Sequence, residues 1–274
     1  MNDFQYTLDE VLLSVKGLNV SYDKPIIRDM SFEIRDIKRP GLTQGQKVGI
    51  LAPSGMGKTT FFDRMAGLKP VDSGEILIGI DQKPVRAGMV GVVPQDYRLF
   101  EHLTVGESLT LAAGMREPNK KAATQKVLEI LTDFNLADKM KSYPCELSGG
   151  QRQRVSIAEQ LLSSKNFLLM DEPFSGLDIL AKKIVADVID RVSTRDDLNT
   201  TIFSTHDIDS AVMIADTIYI LGRDHDVNGK PIPGARIQKT IDLIERNLAW
   251  HPDVEHRAGF AETVQEIKAI FPTL

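Results

Sequence analysis

A single cysteine, Cys145, stands in the whole chain. No internal disulfide can form, which fits a reducing compartment. No apolar run reaches the roughly 18 residues that a bilayer-spanning helix needs, so nothing reads as a membrane span. An excess of positive charge is missing as well. The formal charge is −5, so no global positive field draws in nucleic acid. The opening stretch, Met1 to Glu10, carries Asp3, Asp9 and Glu10 where a secretory leader would have a basic start and an apolar centre. Internal repeats and low-complexity tracts are absent. A cytosolic product is expected, with any link to a membrane made through a partner.

What is present is the composition of a soluble globular protein, 42% hydrophobic and 26% charged over 274 residues. That length suits one large domain or two small ones. Leu12 to Tyr22 alternates as a strand does. Ile26 to Ile34 reads as its hairpin partner across the turn at Asp23-Lys24-Pro25. A polar loop over Asp36 to Gln46 leads to a short buried strand, Lys47 to Leu51. Further strands are expected at Glu75 to Ile80, Met89 to Val93, Phe167 to Met170, Thr200 to Ser204, Thr217 to Leu221 and Arg236 to Ile241. Between Val105 and Lys141 the period turns helical, with Val127, Ile130 and Leu131 on one face. Strands alternating with helices predict an α/β fold with a largely parallel sheet. The expected organisation is a core over 12–100 and 160–244, a helical insert over 101–159, and an extension over 245–274 that holds the one tryptophan, Trp250.

Two stretches are built to grip phosphate. The first is Ala52-Pro53-Ser54-Gly55-Met56-Gly57-Lys58-Thr59-Thr60, between the Lys47 to Leu51 strand and a helical run over Phe61 to Gly67. Small residues let successive backbone N–H groups face phosphate oxygens, and the helix start adds partial positive charge. Lys58 can reach the outer phosphates, and the Thr59 hydroxyl can ligate Mg²⁺. Ala52 stands where the pattern usually has glycine; Pro53 pushes it toward extended angles, where a Cβ is tolerated. The second stretch is Leu147-Ser148-Gly149-Gly150-Gln151. Ser148 and Gln151 fit a capping box, and Gly149 and Gly150 expose backbone N–H groups at a helix start. A second loop is redundant within one subunit, but it makes sense if it closes over the nucleotide of another. Arg152 and Arg154 follow on that helix and are expected to make local salt bridges. Asp171-Glu172 ends an apolar strand. There one carboxylate can hold Mg²⁺ while its neighbour orients or deprotonates water. Alone, such a pair is more often a surface feature; its place in a chain with a phosphate loop changes the reading.

Together these motifs resemble the ATP-binding cassette (ABC) ATPases. Leu147 to Gln151 looks like the family signature, and Pro94-Gln95 like its Q-loop. Met170-Asp171-Glu172-Pro173 resembles the Walker B end, Ser175-Gly176-Leu177-Asp178 the D-loop, and Ser204-Thr205-His206-Asp207 the switch histidine. The match runs from about Leu12 to Thr240, and the motifs keep the family order. The resemblance implies a P-loop NTPase core with an N-terminal antiparallel β subdomain and an inserted helical subdomain, and ATP and Mg²⁺ as cofactors. By it, Tyr22 stacks on adenine, and Pro53 to Thr60 hold the phosphates. Thr59, Gln95 and Asp171 arrange Mg²⁺. Glu172 is the general base, and His206 contacts the γ-phosphate. Ser148, Gly149, Gly150 and Gln151 face the nucleotide of the opposite subunit, and Asp178 couples the two sites. Glu159 departs from the family, which usually has arginine there.

The resemblance further implies the ATPase subunit of an ABC transporter on the cytoplasmic face of a membrane. Its partners would be a permease, a second ATPase subunit (a homodimer) and a solute-binding protein. The compact stretch between Gly74 and Gln95 and the Asp96-Tyr97-x-Leu99-Phe100 sequence are similar to importer ATPases for nitrate, sulfonate and taurine, which suggests small anionic cargo. A non-transport ABC ATPase acting on a macromolecular assembly is the alternative. The stretch between Lys58 and Leu147 is too short for the coiled coil of DNA-repair members, and one cassette is fewer than ribosome-acting members carry.

Overall fold

The computed structural model describes residues 4–164 and 166–274. Residues 1–3, which open the N-terminal stretch read above, lie outside the described residues. Two long strands come first, β1 (Thr7–Ser21) and β2 (Pro25–Lys38), paired antiparallel. β3 (Gln46–Leu51) is fully buried and leads into α1 (Lys58–Met65). β4 (Ser73–Ile78), β5 (Lys83–Pro84) and β6 (Gly91–Val93) follow. Three helices come next: α2 (Val105–Ala113), α3 (Lys120–Asp133) and α4 (Gly149–Ser163). Then strands and helices alternate through β7 (Phe167–Asp171), α5 (Ile179–Ser193), β8 (Thr200–Thr205), α6 (Ile208–Ile214), β9 (Thr217–Gly222) and β10 (Arg236–Asp242). α7 (Ala258–Ile270) lies in the last segment.

Two sheets result. One is antiparallel, in the order β2-β1-β4-β5; the other has the order β10-β9-β3-β8-β7-β6 and is parallel except at the β10 edge. The hairpin strands run beyond their expected ends, β1 starting at Thr7 and β2 continuing to Lys38. The alternation of burial continues past the expected end of β2 to Asp36, and Ile37 is then buried in a different apolar cluster from Ile34.

The larger sheet is covered on both faces, and its side chains sort by the two-residue period. Leu168, Met170, Phe203, Ile218 and Ile220 join one apolar cluster with α2, α3, α4 and α5. Their neighbours Leu169, Ile202, Tyr219 and Leu221 join a second cluster with α1 and the antiparallel sheet. Double coverage explains why these strands read as continuous apolar runs.

The segment after β10 is tied down by charge and packing. Glu266 accepts hydrogen bonds from Lys239 and Arg246, both at 2.6 Å, and these hold its carboxyl down to about 2. Leu248, Val254, Val264 and Ile267 are buried in the first cluster.

Gly45 shows how tightly β3 is seated. A Cβ there would lie 2.2 Å from the Asn199 carbonyl oxygen and 2.6 Å from that of Ser193. Gly45→Ala is therefore expected to lower Tm by roughly 3 to 10 °C, since overpacking costs about 1–3 kcal/mol. Thermal unfolding followed by circular dichroism checks this; an unchanged midpoint would mean those backbones yield freely.

Candidate functional site

Parallel register sets up the site. Leu51 at the end of β3 pairs with Thr205 of β8, and Asp171 at the end of β7 pairs with Ser204. The residues that follow each strand leave from the same sheet edge, where crevices of open α/β sheets form. These are the 52–60 loop, Glu172-Pro173 and His206.

The loop needs its glycines for two reasons. Gly55 and Gly57 have φ of 81° and 79°, and a Cβ on Gly57 would stand 2.5 Å from the Ile26 methyl Cγ2. Ala52 takes no positive φ and is fully buried, so its Cβ packs into the core without backbone cost. Its carbonyl accepts a hydrogen bond from Lys58 Nζ at 2.9 Å. Helix α1 starts on Gly57 with no side-chain cap, whereas α2 to α6 are capped by Thr104, Asn119, Ser148, Asp178 and Asp207. The first N–H groups of α1 are thus left for a ligand, and with the helix dipole they suit an anion.

Charge gathers around Glu172. Its Oε1 lies 3.1 Å from Lys58 Nζ, and its Oε2 lies 2.9 Å from His206 Nδ1. Lys58 and Glu172 are nearly buried, so removing either would leave the other charge poorly compensated. Glu172 sits at φ 50°, an unusual conformation for a residue with a Cβ and one that tends to mark functional turns. Thr59 Oγ1 donates to Asp171 Oδ2 at 2.9 Å. This places a hydroxyl and a carboxylate side by side, the hard oxygen donors that Mg²⁺ prefers. Magnesium commonly keeps several waters and uses few protein ligands. The lack of a group of three metal-binding side chains among the described residues is no obstacle.

Ser204 completes this arrangement. Its Oγ donates to Asp171 Oδ1 at 2.5 Å and accepts from the Glu172 N–H at 3.2 Å. The sequence names it only as the first residue of the switch-histidine motif and gives it no role, because a serine within a fully buried strand carries no pattern of its own. Gln153 and Tyr97 were missed as well. Both donate to the Pro173 carbonyl, at 2.9 and 3.2 Å. Burial pushes the Tyr97 hydroxyl up to about 12, so it stays a donor.

The remaining candidates lie around the rim. Tyr22 is exposed; its hydroxyl accepts from Arg64 at 3.1 Å, and the guanidinium lies 5.4 Å from its ring centroid. Gln95 is not hydrogen-bonded to Thr59 or Asp171; its Nε2 donates to Ser175 Oγ at 3.3 Å. Asp178 caps α5 through the Ala181 N–H at 2.8 Å. Ser148 and Gln151 form the expected capping box at the start of α4. Their helix packs on α2, α3, α5 and β6. Arg152 pairs with Glu101 at 2.5 Å as expected. Arg154 does not: among the described residues it makes no ion pair, and its Nε is buried without a partner because α4 turns it into apolar packing. Glu159 accepts from Ser108 at 3.1 Å, and burial raises its carboxyl. Elsewhere, a concavity of about 580 Å³ borders Leu12, Met89, Met115 and Phe167; it has none of these convergent donors.

A family model described as ABC transporter matches residues 39–175. A sulfate/thiosulfate import ATP-binding protein of Agrobacterium fabrum is 33% identical over 219 residues, 77% of this chain and 61% of its own length. A sulfate/thiosulfate import ATP-binding protein of Burkholderia mallei is 40% identical over 185 residues, 65% of this chain and 52% of its own. The chain thus spans about half to three-fifths of those relatives. A probable ABC transporter ATP-binding protein of Azorhizobium caulinodans is 33% identical over 227 residues, covering 80% of this chain and 77% of that one. Among solved structures, cbiO1 of Clostridium perfringens, part of an ABC transporter complex, superposes with a TM-score of 0.73. That match covers 96% of this chain and 95% of the other at 23% identity, a likeness of fold.

If this site turns over ATP, Ser204→Ala should lower the turnover number about tenfold with a smaller change in KM, because it releases Asp171 Oδ1 and removes one of the two acceptors of the Glu172 N–H, leaving the Ser204 carbonyl at 3.1 Å as the other. Steady-state phosphate release measures this; a wild-type rate would mean the strand end alone holds both carboxylates.

Proposed function

Because the chain belongs to the ABC transporter family, we propose that it binds and hydrolyses ATP to power a membrane transporter. One observation carries the reading. The uncapped start of α1, Lys58, and the Asp171-Glu172 pair share one sheet edge. In this reading the loop 53–60 cradles the phosphates, and Tyr22 offers its ring to adenine. The phosphates compete with Glu172 for Lys58, which frees the carboxylate to accept a proton from water. The water oxygen bonds to the γ-phosphorus, the bond to the bridging oxygen breaks, and ADP leaves. His206, paired to Glu172, is placed to reach the γ-phosphate. Thr59 and Asp171, with Gln95 turned inward from Ser175, would hold Mg²⁺. When bound, that ion neutralises charge on the phosphate oxygens.

The second motif supports a dimer. Beyond the chain neighbours and the helix's own backbone, no atom of the described residues lies within 4 Å of a Cβ built on Gly149 or Gly150, so nothing among them asks for glycine at either position. Close approach of a nucleotide held by a second copy would. Asp178, exposed beside the 175–178 turn, would join the two sites across that seam. Among the described residues no helix is long and apolar enough to cross a membrane. A permease is therefore a separate partner in this reading, and the subunit sits on the cytoplasmic face. Relatives named for sulfate/thiosulfate import support small anionic cargo, delivered by a solute-binding protein.

Two variants test this. Glu172→Gln should keep ATP binding, lose roughly 10² to 10⁴ in turnover, and accumulate an ATP-bound dimer in light scattering. Ser148→Arg should bind ATP as a monomer and fail to dimerise. Undiminished hydrolysis in the first would remove Glu172 as base; an unaffected ATP-dependent dimer in the second would remove the shared-site geometry.

A further inference from the structure

β9 flanks β3 on the side opposite β8, with Ile220 paired to Leu51. The residues that follow β9 therefore run past the phosphate loop, as His206 does on the other flank. Arg223 is the first of them, and its Nη2 donates to the Gly55 carbonyl at 3.4 Å. Its Nε is buried and has no partner, and among the described residues Arg223 makes no ion pair. The neighbouring Asp224 is taken by Arg28, Arg236 and the Gln238 amide. Just before Arg223, the side chains of Leu274 and Gln238 fill the space that a Cβ on Gly222 would take, at 2.6 and 3.0 Å.

We propose that Arg223 is a positioning residue of the nucleotide site, holding the Gly55 peptide in its phosphate-binding orientation. In a planar trans peptide the C=O and the next N–H point in opposite directions. A guanidinium that holds the Gly55 carbonyl on the outer side of the loop thus turns the Met56 N–H to the inner side. The peptide needs such a hold. Gly55 is at φ 81°, and apart from its chain neighbours no atom of the described residues lies within 4 Å of where its Cβ would be, so packing does not fix it. A glycine with that freedom moves between conformations at low cost. Arg223 makes one of them dominant before the ligand arrives, so less ordering opposes binding.

This inference rests on the reading of residues 53–60 as a phosphate loop, and the experiment separates the two. Nucleotide affinity is measured by titration calorimetry and turnover by phosphate release, for Arg223→Met, Arg223→Lys and Lys58→Ala. Arg223→Met should weaken ATP and ADP alike, by about fivefold to tenfold (roughly 1 to 1.4 kcal/mol), with kcat within about twofold and the ligand-free Tm unchanged. Arg223→Lys, which can still donate to the carbonyl, should recover most of the affinity. Lys58→Ala should abolish tight binding. If Lys58→Ala abolishes binding while Arg223→Met binds both nucleotides normally, the role of Arg223 is overturned and the phosphate loop stands. If Lys58→Ala also binds normally, the loop reading itself fails. If Arg223→Met lowers the ligand-free Tm in step with affinity, or Arg223→Lys is no better than Met, Arg223 is a structural residue only.

Discussion

Everything at the site depends on the parallel pairing of β7, β8 and β3. The pairs Leu51–Thr205 and Asp171–Ser204 end these strands level with one another. A slip of one residue in β7 would turn Asp171 to the opposite face and send Met170 toward the loop. The apolar sorting prevents that. Leu168 and Met170 belong to the cluster on one face, and Phe167 and Leu169 to the cluster on the other. A slip would expose neither set to water, since both faces are covered, but it would break the packing on both at once. The polar edge is thus held in register by an apolar interior several residues behind it.

That edge stores tension in a small space. Glu172 takes a left-handed backbone and is placed between Lys58 and His206. Its N–H is held by Ser204, and the next carbonyl, on Pro173, is held by Gln153 and Tyr97. Gln153 lies on α4, whose start carries the second glycine motif, and Tyr97 lies two residues beyond Gln95. One carbonyl therefore joins the segment after β6, the helix α4 and the turn that aims Glu172. Movement of α4 against the sheet would have to strain or release the Gln153 bond, so the carboxylate and the second motif are mechanically linked within one chain.

Residues that announce a chemistry were legible in sequence: the loop with its lysine, the paired carboxylates, the glycines after Ser148. Their meaning is local, set by neighbours a few residues away. The largely parallel sheet and its double coverage were also foreshadowed by runs such as Phe167 to Met170, which lack alternation, but the order of the strands was not. Ser204, Tyr97, Gln153 and Arg223 were not legible, because each matters through a partner far along the chain and none belongs to a local period. Arg154 shows the converse. A charged side chain near the start of a helix invites an ion pair, and burial against apolar packing denied it one. The 245–274 segment was left without a role for the same reason: its anchor, Glu266 with Lys239 and Arg246, joins positions that no helical or strand period connects.

The two glycine motifs differ in what requires them. Gly57 is demanded from inside: its φ is left-handed and Ile26 fills the space of a side chain. Gly149 and Gly150 are demanded by nothing inside. They lie in the first turn of α4 with ordinary angles and open space, where alanine would form a better helix by about 0.8–1 kcal/mol per residue. Ser148 and Gln151 have already capped that helix, so its start does not need glycine for its own N–H groups. A cost borne twice in succession without an internal return points to a surface that something else must approach closely. In the proposed dimer, the start of α4, bare of side chains at Gly149 and Gly150, is where the nucleotide of the second copy would come.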